Sequence, residues 1–246
     1  MAQSDNPLFA EVEILKPEII SVRDHDASAY TQGLLLYEGS IYESTGRNGE
    51  STLREVDPAT GKVLRSIDVP EEYFAEGLAL VGDSLIQLTW KAQVAFIYDR
   101  ATFEQTGTFA YEGEGWGLCY DGQYLYMSNG SPFLTVRDPE TFDVIFSGLV
   151  TAQGSIVDNL NELECVGDYV YANVYQTNYI VRIDKTNGVV TAIIDAADLV
   201  PADERDASWT TADVLNGIVY LPDSDTFLIT GKYWPKMYEV IFVPVE

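Results

Sequence analysis

The chain has 246 residues, 46% of them hydrophobic, so it can bury a full core and still fits the size range of one all-β domain. Its 14 basic and 39 acidic residues give a formal net charge of −25. A surface of that sign repels phosphate backbones and anionic lipid headgroups, which argues against nucleic acids and membranes as partners.

Cysteine and histidine limit the chemistry further. The two cysteines, Cys119 and Cys165, are too few for a disulfide framework and are interpreted as buried free thiols, since a free Cys packs as a small hydrophobe. The single histidine, His25, excludes a His-rich metal site and would have to supply any His-dependent triad alone.

Strands are predicted along almost the whole chain, because short runs rich in Val, Ile, Tyr and Leu alternate with polar residues and end at Gly, Asp, Asn or Pro. The first is the N-terminal segment Phe9–Arg23. The next, in chain order, are Gln32–Tyr37, Ser40–Glu43, Leu53–Asp57, Leu85–Thr89, Val94–Tyr98, Tyr124–Ser128, Tyr169–Val174 and Tyr179–Ile183.

Two sequence patterns repeat along these strands. The first places a polar residue or Trp at the start of a strand, just before a Gly-Leu or related pair, at Gln32, Glu76, Trp116, Asn161 and Asn216. Its members are about 40 to 45 residues apart, except for a last interval of about 55. The second is the turn Asp-x-x-Thr, which keeps step with the first and begins at Asp57, Asp99, Asp138 and, with Thr one position early, Asp184. Such a period with four strands per unit is typical of a β-propeller.

Five units predict a five-bladed β-propeller that occupies residues 1–246 as a single domain. The fifth unit, from Asn216, contains only about three strands, so the N-terminal strand is expected to close the last blade. An insertion over Asp195–Asp213 explains the long last interval. The alternative is a β-sandwich with accidental self-similarity, against which the two patterns in step argue.

A polar site is predicted at one mouth of the central channel, where the five first-pattern residues would face one another. The second strand of each blade runs antiparallel to the first, so its end lies beside the first strand's start. This pairing adds Trp90, Tyr175 and Lys232, and the two-residue period of a strand adds Tyr30 and Phe74.

Glu76 is the one acid in the predicted ring. Its aromatic neighbours should desolvate it, which raises its pKa and suits it to proton transfer near neutral pH. The structural alternative for Glu76 is an ion pair with Lys232 that only fixes the ring. For Asn161 and Asn216 the alternative is capping of turns.

Several longer motifs carry a family resemblance. They include Tyr30-Thr-Gln-Gly-Leu34, Phe74-Ala-Glu-Gly-Leu78, Glu114-Gly-Trp-Gly-Leu118, Leu160-Asn-Glu-Leu-Glu164 and Thr230-Gly-Lys-Tyr-Trp-Pro235. From about Tyr30 to Val240 the chain resembles the glutaminyl cyclases of plants and bacteria, which are five-bladed propellers unrelated to the zinc-dependent animal enzymes. The resemblance implies that N-terminal glutamine of peptides or proteins is converted to pyroglutamate with loss of ammonia, without cofactor or metal.

The resemblance also implies roles for individual residues. Glu76 falls on the family's catalytic acid/base, and the family's pocket residues fall on Gln32, Trp90, Trp116, Asn161 and Lys232. Lys232 and the amides of Gln32 and Asn161 are expected to stabilise the oxyanion, whereas Trp90 and Trp116 are expected to hold the substrate folded. The family usually has Phe at Tyr30 and Trp at Tyr175, so these two departures bear on substrate preference.

Two other functions remain open from the sequence. One is a non-catalytic propeller that binds a peptide terminus or a small ligand at the channel mouth. The other is a metal-dependent, lactonase-like propeller, for which one acid and one lysine make a poor cage. The chain is expected to be a monomer. Residues Met1–Ala10 show no signal peptide, so the location is secreted or periplasmic if a leader was removed and otherwise cytoplasmic.

Overall fold

The computed structural model describes residues 11–201, 205 and 209–245, and this part of the chain is all β, without helix. The strands are β1 (Glu13–Asp24), β2 (Thr31–Tyr37), β3 (Ser40–Thr45), β4 (Thr52–Val56), β5 (Val63–Asp68), β6 (Ala75–Val81), β7 (Ser84–Thr89), β8 (Val94–Asp99), β9 (Gln105–Ala110), β10 (Leu118–Tyr120), β11 (Leu125–Met127), β12 (Phe133–Arg137), β13 (Val144–Leu149), β14 (Thr151–Ala152), β15 (Ser155–Ile156), β16 (Leu160–Val166), β17 (Tyr169–Val174), β18 (Tyr179–Asp184), β19 (Val190–Asp195), β20 (Leu215–Leu221), β21 (Thr226–Gly231) and β22 (Lys236–Pro244).

The strands form antiparallel sheets in sequence order. β2–β5, β6–β9 and β10–β13 each make a four-stranded sheet, and β14 and β15 pair as a short hairpin. β16–β19 and β20–β22 belong to one eight-stranded sheet, in which β1 lies between β19 and β22. β1 runs antiparallel to β22, from Leu15 opposite Pro244 to Asp24 opposite Lys236, and parallel to β19. The N-terminal strand thus hydrogen-bonds to the last strand of the chain.

The first strands of the units pack side by side around a closed circuit. β2 contacts β6, β6 contacts β10, β10 contacts β16, β16 contacts β20, and β20 contacts β2. In the described part of the chain, five clusters of buried apolar side chains lie between successive units. One of them joins Leu34 and Ile41 to Val219 and Leu228 across the junction of the last and first units. Outer strands such as Val63–Asp68 alternate in exposure, as expected for a sheet with one face in water.

The long interval before the fifth unit is occupied by residues 196–214. The described part of this stretch forms turns and bends between β19 and β20. The described residues also include no helix long and apolar enough to cross a membrane.

The prediction of free thiols at Cys119 and Cys165 is wrong, because the two residues form a disulfide. Cys119 lies on β10 and Cys165 on β16, two strands that pack side by side, and their Cα atoms are 5.6 Å apart. The sequence separation of 46 residues is about one repeat. The repeat therefore brings these positions together laterally, which a count of cysteines cannot show.

His25 has a structural place in the fold, between the end of β1 and the sheet β2–β5. Its Nδ1 lies 2.7 Å from the carbonyl oxygen of Trp234, and its Nε2 lies 3.0 Å from Oε1 of Glu43. A carbonyl oxygen can only accept, so Nδ1 donates, and Nε2 donates to the carboxylate. The ring is therefore an imidazolium paired with a buried carboxylate.

The pKa values of His25 and Glu43 are both shifted in the direction that favours the charged form. Burial lowers the pKa of His25, but the Glu43 carboxylate outweighs it, and the net change is upward. Burial raises the pKa of Glu43, but His25, Arg54 and the hydroxyl of Thr31 outweigh it, and the net change is downward. The pair is therefore strongest between the two values.

Glu43→Gln is expected to lower the free energy of unfolding by about 3–5 kcal/mol, because it leaves a buried imidazolium without its counter-ion. In the parent, the contribution of Glu43 is lost as pH falls below 4.5 through its lowered pKa, and that of His25 is lost as pH rises above 6.5 through its raised pKa. Urea unfolding from about pH 2 to about pH 9 covers both limbs. The exposed Glu18→Gln is the control, and a loss below about 1 kcal/mol for Glu43→Gln would contradict the assignment.

Candidate active site

Four of the five first-pattern residues sit at irregularities in strand pairing. The register shifts between Thr31 and Gly33, Ala75 and Leu78, Leu160 and Leu163, and Leu215 and Ile218. These intervals contain Gln32, Glu76, Asn161 and Asn216. Because a bulge interrupts the two-residue alternation and re-aims a side chain, it releases each polar residue from the regular pattern of its strand.

The glycines that follow Gln32 and Glu76 are required by the close approach of neighbouring first strands. A Cβ on Gly33 would lie 2.6 Å from the backbone nitrogen of Leu78, and a Cβ on Gly77 would lie 2.5 Å from that of Leu118. Both distances are too short for any side chain. Glycine therefore lets adjacent strands bring their polar residues to one mouth.

In the fourth unit the corresponding position is Glu162, whose side chain crosses the centre of the fold. Its Oε1 accepts from the N–H of Leu34 at 3.3 Å, and its Oε2 accepts from the N–H of Ile218 at 2.8 Å. Burial raises the pKa of this carboxyl well above its usual range, with Glu164 adding to the rise. Glu162 ties three first strands together without lining the site.

Nine of the ten predicted site residues line one cavity of about 240 Å³, and the tenth does not. The nine are Tyr30, Gln32, Phe74, Glu76, Trp90, Trp116, Asn161, Tyr175 and Lys232. Asn216 is fully buried behind Gln32, where its Nδ2 donates to the carbonyl of Thr31 at 2.8 Å and to Oε1 of Gln32 at 3.3 Å. Its placement is that of a residue orienting Gln32 and not of one contacting a ligand.

Aromatic rings line two sides of the cavity. On one side Phe74 packs edge-on against both Tyr30 and Trp90, with centroids 6.0 and 5.6 Å apart. On the other side Trp116 meets Tyr175 at 5.5 Å and 82°. Such edge-to-face pairs fix ring orientation as well as burying area. Tyr30 and Tyr175, the two positions at which the sequence departs from the family pattern, therefore both belong to the cavity wall.

Glu76 is buried, 4% exposed, and its carboxyl belongs to the cavity surface. Burial raises its pKa well above the usual range, against the opposing charge of Lys232 and with a further rise from Glu114. Within the described residues it forms no hydrogen bond or ion pair. The expected desolvation is therefore present, and the ion pair considered as the alternative is not formed between Glu76 and Lys232.

Lys232 is held by rings on both sides. Its Nζ lies 4.7 Å from the ring centroid of Tyr30 and 4.8 Å from that of Tyr175, within the range of cation–π interactions. Burial lowers the pKa of Lys232 to about 8, although the nearby Glu76 raises it. The cavity thus contains one acid whose pKa is raised and one base whose pKa is lowered.

The two amides of the cavity, Gln32 and Asn161, both present their nitrogen to a ligand. Oε1 of Gln32 accepts from Asn216, which orients this amide and leaves its Nε2 without a hydrogen-bond partner among the described residues. Oδ1 of Asn161 is buried and has no hydrogen-bond partner within the described chain. That oxygen is closed off from the cavity, so a ligand would meet Nδ2 of Asn161, and a ligand oxygen would satisfy the N–H groups of both amides.

Glu114 also belongs to the site, although it was not among the predicted site residues. Its Oε2 accepts hydrogen bonds from the indole N–H of Trp90 at 2.7 Å and of Trp116 at 3.0 Å. Its position two residues before Trp116, inside a recognised motif, was the available signal. No group of three or more His, Cys, Asp and Glu residues that could hold a metal ion occurs in the described ranges.

Comparisons with known proteins agree with this geometry. The family model for glutamine cyclotransferase matches residues 1–242. A glutaminyl-peptide cyclotransferase from Arabidopsis thaliana is 38% identical over 226 residues, covering 91% of this chain and 70% of the relative. A crystal structure of the Myxococcus xanthus glutaminyl cyclase superposes with a TM-score of 0.89 at 33% identity, covering 96% of this chain and 100% of the other. The chain belongs to the glutamine cyclotransferase family.

Proposed function

We propose that this protein is a glutaminyl-peptide cyclotransferase, which converts the N-terminal glutamine of a peptide or protein to pyroglutamate and releases ammonia. The observation that carries the proposal is Glu76, a buried carboxyl with a raised pKa and no partner within the described residues, facing an aromatic cavity that also holds Lys232. This is the environment in which a carboxyl can exchange protons near neutral pH.

The scaffold is proposed to be a five-bladed β-propeller of one domain, acting as a monomer. The closed circuit of five first strands and the five clusters between successive units support the blade count. The pairing of β1 with β22 supports closure of the last blade by the N-terminal strand. A ring of first strands explains why residues from all parts of the chain meet at one mouth.

The proposed reaction is an intramolecular aminolysis. The neutral α-amine attacks the carbonyl carbon of its own side-chain carboxamide, forming the ring C–N bond. Glu76 accepts a proton from the attacking nitrogen and delivers it to the carboxamide nitrogen. The bond between the tetrahedral carbon and that nitrogen then breaks, and ammonia leaves. No covalent enzyme intermediate is needed, and the carboxyl returns to its starting state.

The remaining side chains are proposed to stabilise and orient the reacting groups. The ammonium of Lys232 and Nε2 of Gln32 would donate to the oxyanion of the tetrahedral intermediate. Nδ2 of Asn161, which also lines the cavity, would donate to the same oxyanion, as expected from the sequence. Trp90 and Trp116 would hold the glutaminyl side chain folded toward its amine.

A short peptide that begins with Gln is expected to lose about 17 Da and release ammonia when incubated with the protein. The same peptide with an acetylated N-terminus is the control, because it lacks the attacking amine. Activity should persist in EDTA, since the proposed chemistry needs only side chains. Binding of several such peptides without ammonia release would instead favour the non-catalytic alternative, and EDTA-sensitive turnover would favour a metal-dependent enzyme.

A further inference from the structure

One carboxylate oxygen joins the two indoles of the cavity. Oε2 of Glu114 accepts from Nε1 of Trp90 at 2.7 Å and from Nε1 of Trp116 at 3.0 Å. Its other oxygen lies 3.7 Å from Nζ of Lys91, and that ammonium in turn lies 3.7 Å from the ring centroid of Trp90. An ionised acceptor makes shorter and stronger hydrogen bonds than a neutral one.

The backbones of the two tryptophans are fixed independently of Glu114. The N–H of Trp90 donates to the carbonyl of Phe74 at 2.9 Å, and the N–H of Trp116 donates to the carbonyl of Ser128 at 3.0 Å. The hydrogen bonds of the Glu114 carboxylate to the two indoles therefore act on side-chain orientation and not on the position of either backbone. Its own side chain is 38% exposed, so replacing it removes little buried area.

The two indoles belong to opposite walls. Trp90 follows β7 and packs on Phe74, whereas Trp116 precedes β10 and packs on Tyr175. Each indole has two torsions to the backbone and would rotate between rotamers if its N–H lost its acceptor. A shared acceptor couples the two rotations, so the width of the cavity between the walls stays constant.

We propose that Glu114 is a positioning residue that holds Trp90 and Trp116 at a fixed separation around the bound glutaminyl side chain. This inference rests on the proposed cyclase function for its kinetic consequence. A substrate that must fold back on its own amine depends on walls that fix the reacting atoms, and a misplacement of about 1 Å can cost about 100-fold in rate. Glu114 thereby contributes to turnover without touching the reacting atoms.

Three variants test the proposal. Glu114→Ala removes the acceptor, and we expect kcat/KM on a Gln-initiated peptide to fall about 10- to 100-fold. Glu114→Gln keeps one side-chain oxygen that can accept both N–H groups, so kcat/KM should stay within about threefold of the parent. Glu112→Ala, on the same loop and exposed, is the matched control and should leave kcat/KM unchanged.

The indole N–H resonances of 15N-labelled protein supply a readout independent of turnover. The chain has 4 tryptophans, and the indole of Trp234 donates to the carbonyl of Asp213, which makes it an internal reference. In Glu114→Ala the Trp90 and Trp116 resonances should shift and that of Trp234 should not. In Glu114→Gln both should return close to their parent positions.

The outcomes show whether Glu114 positions the two indoles, and they separate that role from the proposed cyclase function. Parent-like kcat/KM or unmoved Trp90 and Trp116 resonances in Glu114→Ala would overturn the proposal. A Glu114→Gln variant as impaired as Glu114→Ala would also overturn it, since charge and not acceptor geometry would then be required. If the parent itself fails to cyclise any peptide, the proposed function is lost, and the indole resonances still decide whether Glu114 positions the two rings.

Discussion

Glu76→Gln is expected to lower kcat for cyclisation of a Gln-initiated peptide by about 10²- to 10⁴-fold. The amide has nearly the same size as the carboxyl and fits the same buried place, but it cannot accept a proton from the attacking amine or deliver one to the departing ammonia. Because Glu76 contacts no other described residue through a hydrogen bond or ion pair, its replacement breaks no structural contact of that kind. The KM should therefore change far less than kcat.

Glu164→Gln provides a matched control for this variant. Burial raises the pKa of Glu164 to about 8, and its Oε1 accepts from the N–H of Tyr220 at 2.8 Å, but it borders a different cavity. Steady-state kinetics on both variants, with thermal unfolding as a check on folding, separates the loss of a catalytic proton carrier from the loss of a half-buried carboxyl elsewhere. Near-parent kcat in a folded Glu76→Gln would remove Glu76 from the mechanism.

The sequence repeat accounts for most of the residues that line the cavity. Gln32, Glu76, Trp116 and Asn161 occupy equivalent positions of the repeat. Equivalent positions start the first strand of each unit, so the repeat predicts that these residues lie at the same mouth. Antiparallel pairing then brings the ends of the second strands alongside, which explains Trp90, Tyr175 and Lys232. The predicted strand Gln32–Tyr37 differs from the observed Thr31–Tyr37 by one residue, whereas the first two residues of the predicted Phe9–Arg23 lie outside the described part of the chain.

Three features could not be predicted from the repeat, because they depend on an irregularity in one strand pair, on the lateral contact of two strands, or on a loop. Asn216 shares the ring position, but its amide turns toward Thr31 and Gln32 at the irregularity where β20 pairs with β21. The Cys119–Cys165 disulfide depends on the lateral contact of β10 with β16. Glu114 lies in the loop before β10, where no strand period determines where a side chain points.

Lys232→Met is expected to lower kcat/KM by about 10²- to 10³-fold, the usual cost of removing one donor from an oxyanion site. Methionine keeps an unbranched apolar side chain between the rings of Tyr30 and Tyr175, so the cavity wall should survive while the positive charge is lost. Removing the ammonium should also raise the pKa of Glu76 further, because Lys232 is the charge that opposes its rise.

The pH dependence distinguishes a role in charge stabilisation from a role in packing. The pKa of Lys232 is lowered to about 8, so in the parent the oxyanion loses its cationic partner, and kcat/KM falls, as pH rises through that value. Lys232→Arg keeps its charge to far higher pH and should move this alkaline limb upward, even if its larger head lowers the maximum rate. Profiles of the parent and both variants from pH 6 to pH 10 make the comparison. An alkaline limb that stays in place in Lys232→Arg would assign it to another group, and Lys232 would then serve only to hold Tyr30 and Tyr175 apart.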